Sequence, residues 1–521
     1  MNNSSDGHGA TSRLSPVTCH PSRVARQVSL FRPAGNRRRA LGPALVALAL
    51  SACTVGPDYV RPEVSAPESF RYEEKDARDL VNTAWWEQFQ DPVLNELIDT
   101  ALANNKSVQI AAAQVEQFMG QLMSTRSGMF PQVGYSGAAA RQRVTQKGGP
   151  TPLPGSVNPI YDSYQAALGA SWEIDLWGRI RRLTESARAQ LFATEEARRG
   201  VILSLVASVA TSYVSLLSLD QQLVISRNTT QSYAETLRLF DLQFKQGVVS
   251  ELQVAQVRAE YEGAAASIPQ IEGQIVQLEN ALSILLGRNP GPIPRQGRTL
   301  GALAMPAVPT GVPSELLERR PDIRQAEQSL IAANAQIGAA KALYFPSISL
   351  TGLLGGVSTE LSTLFGGASR TWSYAGSITG PIFTAGNIEG QVLAAEGGQQ
   401  QALLSYQQTI QNAFADVEDA LVSYQSQGQQ LEALGRQLGA LKTYVRLAQL
   451  QFDAGYTDYL TVLDANRNLF SSELVATSTR AGTFAAMVGI YQAMGGGWVT
   501  VAAERAGGTV PPPTDDAGPP G

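Results

Sequence analysis

Two stretches of the chain carry apolar and small residues in alternating steps of three and four. Such steps place residues along one seam of a helix, which is the pattern of coiled-coil packing. Each position of the second seam lies 208 residues after its counterpart in the first. The seams are Leu223, Ser226, Thr230, Tyr233, Leu237, Phe240 and Phe244, and Leu431, Leu434, Leu438, Leu441, Val445, Ala448 and Phe452. The pattern predicts two long packed helices and an internal two-fold repeat.

The absence of proline sets the expected length of these helices. No proline interrupts residues 160–268 or 382–510. Helices of roughly 60 residues, near 184–246 and 387–454, would each run about 90 to 100 Å at the rise of an α-helix.

A glycine follows each long helix and predicts a tight turn into a shorter return helix. Gly247 and Gly455 suit the left-handed conformation in which helices commonly end. Beyond the first turn, Ser250 and Gln253 have the spacing of a capping box, and Asp458 can cap the second return helix. The two turns, 247–250 and 455–458, are therefore expected at the tips of two helical hairpins.

One segment of each repeat changes from the helical period to a period of two, which predicts β-hairpins at 131–178 and 346–383. The alternating apolar sets are Tyr164, Ala166, Leu168, Ala170, Trp172, Ile174 and Leu176, and Trp372, Tyr374, Gly376 and Ile378. Such hairpins occur in a soluble sandwich or in a membrane barrel. The scattered Trp and Tyr residues, together with the lipid anchor described below, favour the barrel.

The predicted fold is a mixed α and β chain with two structural repeats, 91–287 and 321–497. Each repeat comprises a helix, a β-hairpin, a long helix, a tip turn and a return helix. The remaining segments are an N-terminal part (53–90), a linker (288–320) and a C-terminal segment with a disordered tail (498–521). Four strands per chain are too few to close a membrane barrel, and an open sheet edge is not tolerated in hydrocarbon. Several protomers must therefore share one barrel, continued by a helical coiled-coil barrel.

The N-terminus resembles a bacterial lipoprotein signal. Three arginines, 37–39, precede an apolar run at 41–50, and this run is too short for an ordinary membrane helix. It ends in Leu-Ser-Ala-Cys53, which is similar to the lipobox that is cleaved before an acylated cysteine. Residues 1–52 are thus predicted as a signal peptide, and Cys53 as the lipidation site. The first 36 residues make this signal unusually long, so translation is expected to start nearer Val28 or Leu30.

Removal of the signal changes the charge and the available chemistry. The signal carries seven arginines and Asp6, a net charge of +6, so the mature chain carries −5 − 6 = −11. This acidity argues against nucleic acid as a partner. Both histidines, His8 and His20, lie in the signal, and the remaining cysteine is Cys53. Catalysis by histidine or cysteine and histidine-ligated metals are therefore not expected, and neither an enzyme nor a cofactor is predicted.

Several motifs, in order and with the repeat, resemble the TolC-type outer-membrane factors of tripartite efflux systems, in particular the lipoprotein branch that includes OprM and NodT. The resemblance covers essentially residues 53–502. It is carried by Cys53–Tyr59, Trp85-Trp86 with Phe89, Trp172–Gly178, Arg319–Ile323, Phe345-Pro346 and Leu460–Ala465. It implies a lipid-anchored homotrimer in the outer membrane, with twelve strands and twelve tunnel helices. It also implies an equatorial domain that draws on residues 54–90, 288–320 and the C-terminal segment. It also implies a passive channel for small molecules such as drugs, served by a periplasmic adaptor and an inner-membrane pump of the RND type.

The same resemblance assigns roles near the tips. The tunnel would be constricted at Leu460 and Asp464, and Arg467 would pair with an acid to hold the closed state. The adaptor would contact the tips through Gly247, Val248, Ser250, Gly455, Tyr456 and Asp458. The residues alone favour a different interpretation, in which Leu460 is ordinary seam packing and Asp464 a solvated or capping acid, and it is the motif match that favours the gate.

Other protein classes fit the sequence less well. A periplasmic adaptor carries one helical hairpin rather than two with interposed strands. A structural lipoprotein that tethers the envelope would not need alternating hairpins of membrane length. Among channels, protein secretion is the alternative to efflux of small molecules, and the sequence does not identify the cargo.

Overall fold

The computed structural model describes residues 54–64, 67, 70–71, 84–145, 158–309, 313–495 and 498–505. The predicted signal, Cys53 and the tail from residue 506 lie outside the described residues. The helices are α1 (Pro92–Asn104), α2 (Lys106–Ser127), α3 (Arg179–Lys245), α4 (Glu251–Leu285), α5 (Leu316–Arg319), α6 (Pro321–Lys341), α7 (Asn387–Asp453), α8 (Tyr459–Ala493) and α9 (Trp498–Arg505). The strands are β1 (Gln132–Arg143), β2 (Ile160–Ile174), β3 (Ser347–Ser358) and β4 (Arg370–Thr379).

The internal repeat is visible in the lengths and positions of the helices. The long helices α3 and α7 each have 67 residues, and the return helices α4 and α8 each have 35. The starts of the equivalent helices are separated by the same number of residues, since 387 − 179 = 208 and 459 − 251 = 208. A helix of 67 residues is about 100 Å long. The long helices and the period of the repeat agree with the sequence pattern.

The first repeat departs from the prediction of a single helix before its hairpin, because Asn105 divides that segment into α1 and α2. The Asn105 side chain accepts hydrogen bonds from the backbone amides of Ser107 (2.8 Å) and Val108 (3.2 Å) and so caps α2. Its amide group also donates to the carbonyl of Leu285, 2.8 Å away at the end of α4. The second repeat is broken at the equivalent place, because Arg320 separates α5 from α6, and α6 (21 residues) is the counterpart of α2 (22 residues).

The four strands form one antiparallel sheet in the order β1-β2-β3-β4. Its register puts most of the aromatic and large aliphatic side chains on one face, because residues directly opposite one another share a face. That apolar face includes Val133, Tyr135, Tyr164, Leu168, Trp172, Leu350, Leu354, Trp372, Tyr374 and Ile378. The other face carries mainly serine, threonine, glutamine, glycine and alanine. In this chain β1 and β4 are the edge strands.

The helices next to the sheet follow the order of the strands. α2 contacts α3, α3 contacts α6, and α6 contacts α7. In the far half, α4 packs on α3, α3 on α8, and α8 on α7. α3 contains an apolar stretch long enough to cross a membrane, but 61% of that stretch is buried by the rest of the chain. Its apolar side chains therefore form the centre of the helical layer.

The segments predicted as equatorial contribute to one buried cluster with the middle of the long helices. Trp85 stacks on Tyr491 with ring centroids 5.2 Å apart, and Trp86 meets Trp498 edge to face at 5.5 Å. Ile293 and Leu300 of the linker are buried in the same cluster. Chain segments that are distant in sequence thus pack together against the middle of the long helices.

Candidate channel gate, docking tips and anchor strap

The two helical tips end in the same backbone motif. Gly247 and Gly455 have positive φ angles of 72° and 74°. The amide of the next residue, Val248 or Tyr456, donates to a carbonyl five residues earlier, at 2.9 and 2.8 Å. This is the Schellman arrangement, which satisfies carbonyls that the helix end would otherwise leave without partners. The Val248 and Tyr456 side chains are 71% and 85% exposed, so each tip presents one large apolar group.

Ser250 and Asp458, the other predicted tip residues, begin the return helices. Ser250 and Gln253 form the predicted capping box, and the Asp458 carboxylate accepts a hydrogen bond from the Thr461 amide at 3.3 Å. Both capping residues are exposed. Their side chains therefore fix the shape of the tips and remain accessible there.

The predicted gate residues lie on one face of the first turns of α8. Leu460 is 52% exposed, and the side chains of Asp464 and Arg467 are 41% and 58% exposed. The intervening Val462 and Leu463 are buried in the cluster that joins the two hairpins. The three gate residues therefore point away from the packed core, at the i, i+4, i+7 spacing of one helix face.

Arg467 connects the candidate gate to the other hairpin. Its Nη2 lies 2.7 Å from Oδ1 of Asp464, and its Nη1 lies 3.7 Å from Oε1 of Glu260 on α4. Asn468 donates to the other carboxylate oxygen of Asp464 at 3.1 Å. The arginine thus links an acid of its own helix to an acid of the first repeat.

Glu260 was not predicted from the sequence as a site residue. The repeat contains a signal that could have found it, because the counterpart of Arg467 is residue 467 − 208 = 259, directly before Glu260. A residue that lies near the axis relating two packed repeats lies close to its own counterpart, so a contact beside residue 259 is the one that this symmetry would indicate. Nearby, burial raises the pKa of the Tyr233 hydroxyl, and the Glu260 carboxylate raises it further.

The residues after Cys53 form a strap along α3 and α6, defined as residues 54–64. Gly178, which precedes α3, lies against Thr54, and the Val55 amide donates to the Trp177 carbonyl at 3.1 Å. Arg182 contacts the carbonyls of Val55 and Gly56. The strap therefore starts directly below the sheet.

Further contacts hold the strap along its length. The Arg182 guanidinium lies 2.7 Å from the Asp58 carboxylate, and Asn334 donates to the Pro57 carbonyl at 3.1 Å. Tyr59 donates to Glu327 at 3.1 Å. Cys53 itself is outside the described residues, so its lipidation stays a prediction.

Within the described ranges, no group of three or more His, Cys, Asp or Glu side chains is placed to hold a metal ion. The chain matches the family model described as outer membrane efflux protein over residues 97–288 and 312–496.

The chain belongs to the outer membrane efflux protein family. It is 36% identical over 465 residues to the toluene efflux pump outer membrane protein TtgC of Pseudomonas putida, covering 88% of this chain and 95% of that protein. It is also 36% identical over 455 residues to the probable outer membrane lipoprotein SilC of Salmonella typhimurium, covering 86% and 97%. Among solved structures, it is similar to the open state of the Neisseria gonorrhoeae MtrE outer membrane channel, with a TM-score of 0.77, 33% identity and coverage of 86% and 99%. This efflux protein is thus an outer-membrane channel component, and its family consists of channels rather than enzymes.

Proposed function

We propose that three copies of the chain form one outer-membrane channel of a tripartite efflux system. The observation that carries the proposal is the pair of open edges in the isolated chain. β1 and β4 have a free side, and α2 and α7 end the helical row in the same order. Joining β4 of one protomer to β1 of the next would close both layers at once and remove the edges that hydrocarbon does not tolerate. Twelve strands lie within the range of bacterial membrane barrels.

The faces of the sheet support the same arrangement. Its apolar face, with Trp372 and Tyr374 exposed, suits lipid, and its small polar face suits a water-filled lumen. The lipid on Cys53 would anchor the strap at the periplasmic rim, and the likeness to a probable outer membrane lipoprotein supports this. Substrates, small molecules such as drugs, would move passively, driven by an inner-membrane pump of the RND type.

The tips would receive the periplasmic adaptor. Val248 and Tyr456 are apolar and exposed on rigid, capped turns, which suits docking to another helical hairpin. The double variant Val248→Ser, Tyr456→Ser should lose adaptor binding in a pull-down assay while it keeps its fold. Val276→Ser, at a 54% exposed site on α4 remote from the tip turn, is the control. Equal binding by all three proteins would refute this docking site.

Single-channel conductance in planar bilayers tests the channel and its gate. The parent should conduct little, and Leu460→Ser with Asp464→Ala should conduct much more, because an apolar constriction and its acidic ring are removed. The matched control is Leu239→Ser with Glu235→Ala, which has the same spacing on the exposed side of α3. If parent and gate variant conduct equally, the gate assignment is wrong. If neither conducts although both are folded and oligomeric, the channel proposal fails.

A further inference from the structure

The sheet carries arginines on its apolar face at the rim remote from the helices. Arg141 and Arg143 end β1, and Arg370 begins β4. Arg141 and Arg143 alternate in phase with Val133 and Tyr135, and Arg370 alternates in phase with Trp372 and Tyr374. All three therefore extend from the aromatic face rather than from the small polar face.

These arginines belong to the two edge strands. β1 runs away from α2, and β4 runs back toward α7, so the end of β1 and the start of β4 share one rim. The strand ends are also staggered, since Arg143 pairs with Ile160 whereas Arg370 pairs with Gly356, nearer the middle of the sheet. A tilted barrel requires such a stagger. Pairing β4 of one protomer with β1 of the next would therefore bring Arg370 beside Arg141 and Arg143 of its neighbour.

The charge of this cluster is only partly balanced within the chain. Arg141 lies 3.7 Å from Asp162, with its side chain 75% exposed. In the part of the chain that the structure describes, neither Arg143 nor Arg370 forms an ion pair. Glu360, in the connection between β3 and β4, is the other acid near this rim and is exposed. Three cations thus face at most two acids at each seam between protomers.

We propose that each seam binds a phosphate group of an outer-leaflet lipid, namely the phosphorylated glycolipid headgroup. This inference rests on the proposed membrane barrel and its closure. Trp372 and Tyr374 stack with centroids 5.8 Å apart, as aromatic residues do at a membrane interface. Arg370 lies one pleat, about 7 Å, beyond Trp372, at the height of headgroups. Guanidinium groups bind phosphate oxygens in a bidentate manner, and the neighbouring apolar face would hold the acyl chains.

Lipid retention by the full-length protein tests the site. The parent and the triple variant Arg141→Gln, Arg143→Gln, Arg370→Gln are incubated in detergent with lipid A that bears both phosphates and analysed by native mass spectrometry. The triple variant should retain at least about tenfold less lipid, since each membrane-proximal cation contributes on the order of 1 kcal/mol. Arg238→Gln, Arg436→Gln, Arg446→Gln removes the same charge from exposed sites on α3 and α7 and should retain as much as the parent.

Three further measurements separate the explanations. Dephosphorylated lipid A should be retained as poorly by the parent as phosphorylated lipid A is by the triple variant. Inorganic phosphate should not displace the lipid at millimolar concentration, and displacement would identify a simple anion site and overturn the proposal. If parent and triple variant are both trimeric and conducting and retain lipid equally, the lipid site is refuted and the proposed function stands. A parent that forms no oligomer and no channel would refute the proposed function instead.

Discussion

Arg467 on α8 lies 3.7 Å from Glu260 on α4, so a proposed gate residue of the second repeat is tied to the return helix of the first. Its 2.7 Å contact with Asp464 lies within one helix and cannot restrain movement between hairpins. The 3.7 Å contact can restrain such movement, because Arg467 and Glu260 belong to different hairpins. It is therefore the ion pair whose loss should release the gate.

Glu260→Gln should raise the open probability of the channel. Arg467 is more than half exposed, and an exposed ion pair contributes about 0 to 1 kcal/mol. The expected rise is therefore at most about fivefold for each protomer, measured as open time in single-channel recordings. Glu272→Gln removes an exposed pair with Arg227 inside the first hairpin and should leave the open time unchanged. Equal effects of the two variants would contradict the role of Glu260.

Asp464→Asn should reduce the preference of the channel for cations. Symmetric copies of an acid at a constriction attract cations and repel anions, and Arg467 offsets part of that charge. The reversal potential across a KCl gradient measures the preference. Arg467→Gln should shift this potential in the opposite direction. If both variants leave the potential at the parental value, Asp464 does not line the narrowest part of the pore.

Arg320→Ala should strongly destabilise the second repeat. The Arg320 side chain is 9% exposed, lies within 2.8 Å of both Asp322 and Asp416, and donates to the Ala493 carbonyl at 2.9 Å. Asp322 and Asp416 are 46% and 55% exposed, so water solvates them once the arginine is removed, and the main cost is the loss of charge-assisted hydrogen bonds, about 1.5 to 3 kcal/mol. Thermal unfolding in detergent should show a clearly lower midpoint. Arg319→Ala, which loses only an i, i+4 pair with Glu315, should change the midpoint little.

The sequence predicted the long helices well because their signals are local. The sequence predicts that α7 begins near Asn387, and it begins there. In contrast, α3 begins at Arg179, five residues before the predicted Thr184. The reason is that Asp175 caps α3, accepting from the amides of Ile180 (3.1 Å) and Arg181 (2.8 Å). That cap was not recognised, because Asp175 lies in the alternating pattern of the preceding strand.

Contacts between distant segments could not be predicted in the same way. The break at Asn105 depends partly on the Leu285 carbonyl, 180 residues away. The partner of Arg467 depends on how the two hairpins pack. The gate and tip roles came from family resemblance, because exposure of a leucine or tyrosine on a helix does not by itself indicate a pore.

Gly56→Ala should release the strap from α6. Gly56 has a φ of 104°, and an added Cβ would lie 2.4 Å from the Cα of Gly338. Both strain and overlap should therefore displace residues 54–64. Limited digestion with a glutamate-specific protease should cleave after Glu63, within the strap, faster than in the parent. Gly120→Ala, at a site on α2 with nothing within 4 Å, is the control. Unchanged cleavage in both variants would mean that the strap does not depend on this close approach.

Glu196 should make the fold more stable as the pH falls, whereas an ordinary ion-paired acid makes it less stable. Its side chain is 7% exposed, and its Oε1 lies 2.8 Å from Arg199 and 3.0 Å from Arg324. Burial raises the pKa of Glu196, although both arginines lower it in part. Since the folded-state pKa lies above the unfolded value, the folded state binds more protons between the two values. The contribution of Glu196 to stability therefore increases as the pH falls through this window.

The variant Glu196→Gln resembles the protonated acid at every pH. It therefore removes the pH-dependent contribution of Glu196 to stability, and comparison with the parent shows whether that contribution rises or falls with pH. The parent should gain thermal stability relative to this variant when the pH is lowered from 7 toward 5, measured by circular dichroism in detergent. Arg324→Gln removes a cation that lowers the pKa of Glu196, so the same gain should begin at a higher pH. A parent that loses stability relative to Glu196→Gln on acidification would show that the ion pairs outweigh burial, and the interface between α3 and α6 would then depend on the ionised acid.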